Sequence, residues 1–101
     1  MTSENVDNIS TAIFGSSGRL GILRAIAAAS EDDLYPARIA ELSSTRASQV
    51  GVDMKRLREV GLLKPRKVPG SSRLNYTRAP SVLWDLAESL YTESVRRKPR
   101  G

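Results

Sequence analysis

The chain has 101 residues, a net charge of +5 and 40% apolar residues, which suits a single domain with a small core. It contains neither cysteine nor histidine, so disulfides, thiolate nucleophiles, imidazole acid–base catalysis and zinc sites built on those ligands are excluded. No apolar run approaches the ~20 residues that cross a bilayer, and MTSENVDN lacks the basic and apolar regions of a signal peptide, so a cytoplasmic protein with no membrane partner is expected.

The first seven residues are polar and expected to be disordered, ahead of one domain over residues 8–95. From Asn8, NISTAIF puts Ile9, Ala12 and Ile13 on one helix face, with Asp7 or Asn8 as N-cap. Gly15 ends that helix and Ser16 or Ser17 can cap the next, where Leu20, Leu23, Ile26 and Ala27 run down one side with Ile22 beside them. SEDDL is a polar connector to Leu34 and Tyr35, expected as a short extended segment. Its acids Asp32 and Asp33 read as solvated surface rather than a catalytic pair, and neither enzyme activity nor a metal or other cofactor is expected. Pro36 suits the first turn of a two-turn helix that buries Ile39, Ala40 and Leu42. SSTR then turns the chain, with Thr45 as candidate N-cap for ASQVGVDMKRLREVG, where Val50, Met54 and Leu57 share the inner face. A short helix, a turn and a longer basic helix form a helix-turn-helix pattern.

After Gly61 the period changes. LLKPRKV and RLNYTRA flank the turn sequence PGSS as two strands, and Leu74 and Tyr76 alternate with Arg73, Asn75 and Thr77. Lys64, Arg66, Lys67, Arg73 and Arg78 give this hairpin a basic rim. Pro80 opens the last helix, whose stripe of Leu83, Leu86, Ala87, Leu90 and Tyr91, with Trp84 at its edge, is wider than a core-facing helix requires. Residues 96–101, RRKPRG, read as a basic disordered tail.

Charge is unevenly placed. Residues 1–45 hold three Arg and six acids, whereas residues 46–78 hold nine Lys or Arg against Asp53 and Glu59. Such concentration is what a surface that meets phosphates requires.

The fold class is therefore mainly α with a small β-hairpin wing: two helices, a short extended segment, two helices, two strands and a final helix, the order of a winged helix-turn-helix domain. At residue level the chain resembles the ArsR-like superfamily of bacterial and archaeal transcriptional regulators. IFGSSGRLGILRAI is similar to that group's opening helix, SQVGVDMKRLREVGLL to its recognition helix and KPRKVPGSSRLNYTRAP to its wing. The resemblance implies a transcriptional regulator. Metal-sensing members use Cys or His, so their metal switch does not carry over to this chain. Asp53 stands where many relatives place His or another polar residue. Gly51 replaces a common Ser at a helix-interior cost of roughly 0.8–1 kcal/mol relative to Ala, which close approach of another backbone would explain.

With Val50, Met54 and Leu57 inward, Ser48, Val52, Lys55 and Glu59 point away and Gln49 and Arg56 flank them. A major groove admits one helix; Gln can pair with adenine, Val52 can touch a thymine methyl, and Arg56 can reach guanine or phosphate. Ser48, Gln49, Val52 and Arg56 are thus the candidate base readers, and Arg46, Lys55, Arg66, Lys67 and Arg73 the candidate phosphate or wing contacts. Asp53 either accepts from cytosine or pairs with Arg56 three residues on. Arg58 can support the helix end, and Arg19 and Arg24, on another helix, can serve folding alone. A homodimer is expected through Ile9, Ile13, Phe14, Leu83, Trp84, Ala87, Leu90 and Tyr91, on double-stranded DNA, acting as a repressor. A protein–protein module and a binder of nucleic acid without sequence preference are the alternatives. No residue pattern assigns a small-molecule effector.

Overall fold

The computed structural model describes residues 2–97. Its elements are α1 (Thr2–Phe14), α2 (Arg19–Ala28), a 3-10 turn (Glu31–Asp33), α3 (Pro36–Ser43), α4 (Ala47–Glu59), β1 (Leu63–Arg66), β2 (Asn75–Arg78) and α5 (Val82–Arg96). Among the described residues the architecture is mainly α, five helices with one two-stranded antiparallel sheet. None of these helices is long and apolar enough to cross a membrane.

Helix α2 is the centre of the fold, in contact with every other helix. Leu20, Ile22 and Ile26 on it are fully buried, each contributing about 1.5–3 kcal/mol of transfer free energy. Leu34, Ile39, Val50, Met54, Leu63 and Tyr76 close around them, so connector, helices and hairpin share one core.

Helix α1 starts six residues before the expected Asn8. Val6 is buried and the Asn5 amide donates to the carbonyls of Ser94 and Arg97, so contact with the end of α5 makes a helix of residues whose polarity suggests disorder. The expected cap of α2 also differs. Neither Ser16 nor Ser17 caps it; the Ser10 hydroxyl, buried on α1, accepts from Leu20 N–H at 2.9 Å and donates to the Ser16 carbonyl. Helix α5 runs on through Arg96, one residue into the expected tail; residues 98–101 of that tail lie outside the described residues.

The expected extended segment at Leu34–Tyr35 is not a strand. A 3-10 turn precedes it, and a single rung, Tyr76 N–H to the Leu34 carbonyl at 2.9 Å, ties it to β2. Leu42, expected inside, is exposed because the buried arc of α3 runs through Ile39, Ala40 and Ser43 and leaves position 42 off its edge.

Helices α3 and α4 end the same way. The Thr45 N–H reaches back to the Ala40 carbonyl at 3.1 Å and Ser44 N–H to Glu41; Leu62 N–H reaches Leu57 at 2.9 Å and Gly61 N–H reaches Arg58. Both are Schellman closures, which need a left-handed residue: Gly61 has φ +82° and Ser44 has φ +52°, the only positive φ of a non-glycine residue among those described. Thr45 does not cap α4; its hydroxyl donates to the Ser43 carbonyl, and Arg46 takes the cap position without a side-chain bond.

In the hairpin Leu63 pairs with Arg78, Pro65 with Tyr76 and Arg66 with Asn75. Val68–Ser71 forms the turn, with Pro69 then Gly70 at φ +78° and Ser71 N–H bonded to the Val68 carbonyl at 3.1 Å, the arrangement of a type II turn. The expected alternation fails here: Asn75 and Tyr76 are both buried, while Leu74, outside the four-residue ladder, is exposed.

Candidate nucleic-acid interface

Helix α4 divides into two faces at the expected spacing. Val50 and Met54 are fully buried and Leu57 packs against the core, while Ser48, Val52, Lys55, Arg56 and Glu59 are exposed. Val52 is 47% exposed, a β-branched apolar side chain held in solvent in the middle of a charged face. Gln49 is half-buried at the edge of that face. With Arg46, Gly18 and Arg24 it lines a polar cleft of about 630 Å³ beside the α3–α4 turn.

Asp53 belongs to neither expected role. It is only 4% exposed, and its carboxylate faces Arg19 on α2, Nη2 to Oδ1 at 3.3 Å and Nε to Oδ2 at 3.5 Å. Position 53 lies on the core side of α4, next to the Val50–Met54 line, which carries its side chain away from Arg56 and toward α2. Gln49 Nε2 donates to the same Oδ1 at 3.1 Å. Arg19 in turn donates to the Phe14 carbonyl at the end of α1 at 3.0 Å. Nothing lies within 4 Å of a Cβ built on Gly51, so no other backbone of this chain approaches closely enough to explain the glycine.

The hairpin cations divide as well. Arg66, a candidate phosphate contact, has partners within the chain: it donates to the Glu31 carbonyl at 2.9 Å and pairs loosely with Asp32 and Glu31 at 3.6 and 3.9 Å. Asp32 stays solvated, its side chain 95% exposed, and the one hydrogen bond of Arg66 goes to the Glu31 backbone carbonyl. Arg73 lies 3.8 Å over the Tyr35 ring and donates to the Asn75 amide oxygen at 3.1 Å. Arg78 turns inward to the Ile26 and Ala29 carbonyls at 2.8 and 2.7 Å, where a cation complements the C-terminal end of α2. Lys67 stays exposed.

The cations differ in their partners. Arg19, Arg38, Arg66 and Arg97 are in ion pairs, Arg24 and Arg73 stack on tyrosines, and Arg78 holds carbonyls. Among the described residues Arg46, Lys55, Arg56, Arg58, Lys64, Lys67 and Arg96 make no ion pair, ring contact or carbonyl contact of this kind. All seven are exposed; six lie on α4, at its start or on the hairpin, and Arg96 stands apart at the end of α5.

On the α1 and α5 surface, Trp84 and Ala87 are taken by the chain's own core, Trp84 Nε1 donating to the Ala79 carbonyl at 2.7 Å. The burial of both within one copy corrects their assignment to a contact between copies. Ile9, Phe14, Leu83 and Leu90 are half-buried, Tyr91 carries the Arg24 guanidinium at 4.9 Å, and Ile13 and Leu86 are 57% and 54% exposed. Sequence spacing missed the Arg19–Asp53 contact because its partners are 34 residues apart. A carboxylate one position from the inner stripe was the available signal. No protein-family model, curated protein or solved structure matches this chain.

Proposed function

We propose that the chain is a winged helix-turn-helix DNA-binding protein, related to ArsR-like regulators, that acts as a homodimer and represses transcription by occupying an operator. The observation that carries this reading is the set of unpaired cations on α4 and the hairpin, Arg56 among them, flanking an exposed Ser48 and Val52. A cation left without a carboxylate keeps its full attraction for phosphate, and a short polar, an apolar and a forked cationic side chain on one helix face suit base edges in a major groove. Arg46, Lys55 and Lys67 supply affinity, Ser48, Gln49, Val52 and Arg56 supply preference, and the hairpin is the wing. Ile13 and Leu86 are apolar and exposed on the two helices proposed to meet a second copy, and a dimer would read half-sites about one helical turn apart.

The test is anisotropy of a labelled random duplex titrated at several salt concentrations, with unlabelled genomic fragments as competitors, beside the sedimentation mass of the free protein. Steep weakening with salt, one fragment competing far better than the rest and a dimer mass are expected. Equal competition by all fragments contradicts sequence preference, and absence of binding at low salt contradicts the reading as a whole.

A further inference from the structure

We infer that Asp53 is a positioning residue for base reading: it fixes which end of the Gln49 carboxamide faces outward, with Arg19 holding Asp53 in place. The inference rests on the reading of α4 as the base-reading helix.

A glutamine amide has an oxygen end that only accepts and a nitrogen end that only donates, and a free side chain turns over between them. An ionised carboxylate is acceptor-only. Because Gln49 Nε2 meets Asp53 Oδ1 at 3.1 Å, the amide nitrogen is the end that must face inward. One N–H is used on Asp53; the amide oxygen and the second N–H remain. These are the acceptor and the donor that pair with adenine N6–H and N7 together. Asp53 cannot drift, since it is nearly buried and both its oxygens face the Arg19 guanidinium. Arg19 is itself tied to the end of α1 through the Phe14 carbonyl. The carboxamide is thereby presented in one orientation before any duplex arrives, which spares the ordering cost of choosing it on binding.

The experiment is selection from a duplex pool with a randomised centre, using wild type, Gln49→Ala, Asp53→Ala, the double variant and Asp53→Asn, each checked for thermal unfolding. Wild type is expected to enrich A·T at one position of each half-site. Gln49→Ala and Asp53→Ala flatten that same position, by roughly ten-fold in preference, and the double variant flattens it no further. Asp53→Asn keeps the volume, so the profile stays readable if Asp53→Ala does not fold. Its amide offers Gln49 a donor as well as an acceptor, and the preference falls at the same position. An Asp53 that only supports the fold would lower melting temperature and affinity for every duplex alike and leave the profile unchanged, which overturns the inference. So does a flattened position that Gln49→Ala leaves intact. A wild type that enriches no sequence overturns the reading of α4 and the inference with it, whereas an enriched site unaltered in the Asp53 variants removes the inference alone.

Discussion

Arg19 on α2 and Asp53 on α4 meet at 3.3 Å across the interior, with the arginine side chain 26% exposed and the aspartate 4%. The pair joins the helix at the centre of the fold to the helix that carries the unpaired cations. Its two members are unequal, because one can reach water when left alone and the other cannot.

That inequality gives an order of stabilities. Arg19→Met leaves a buried carboxylate facing only the Gln49 amide, and breaking such a pair from this side is expected to cost about 2–4 kcal/mol. Asp53→Ala leaves a guanidinium that turns to solvent and keeps its bond to Phe14, at a cost of about 1 kcal/mol or less. Urea unfolding midpoints at equal slope measure both. Equal losses would mean that the pair is solvated.

Ser44 occupies a left-handed position that its counterpart Gly61 fills without strain. Ser44→Gly should relieve ~1–2 kcal/mol of left-handed strain and lose ~0.5–1 kcal/mol to chain entropy, a net gain of about 0.5–1 kcal/mol. Gly61→Ala should destabilise by about 1 kcal/mol or more. Thermal unfolding of the two variants reads opposite signs.

Gly51→Ala places a methyl in open space inside a 13-residue helix. The expected gain is about 0.8–1 kcal/mol, or roughly 4–8 °C in Tm for a domain of this size. An unchanged Tm would indicate that α4 is not helical at this position in solution.

Two neighbouring cations on the hairpin should separate cleanly. Lys67→Ala removes an unpaired charge and lowers the slope of log affinity against log salt by about 1, with stability unchanged. Arg66→Ala leaves the slope unchanged and costs about 1–2 kcal/mol of stability, because its bond to the Glu31 carbonyl and its pairing with Asp32 anchor the connector.

What was legible in the sequence is what depends on local periodicity. Val50, Met54 and Leu57 mark the inner face of α4 by spacing alone, Pro69–Gly70 marks the turn by backbone chemistry, and Pro80 marks the start of α5 to within two residues, the helix beginning at Val82 behind a Ser81 cap. What was not legible depends on residues far apart in the chain. Asn5 extends α1 by bonding near Ser94, Ser10 caps a helix it does not belong to, and the Glu31 carbonyl takes a hydrogen bond from Arg66 on the hairpin. The outward residues of α4 were legible; the fixing of Gln49 by Asp53 and Arg19 was not, because a carboxylate three residues from Arg56 has a nearer partner by sequence than by space.

The central claim is that the exposed face of α4 reads base edges. The most direct measurement is the base-preference profile of wild type beside Val52→Ala and Arg56→Ala, taken from a duplex pool with a randomised centre at fixed salt. A sharp wild-type profile is expected, which each substitution flattens at its own position, with Val52→Ala acting on a thymine and leaving the salt slope intact. A profile that is flat for wild type, or identical in all three proteins, would contradict it.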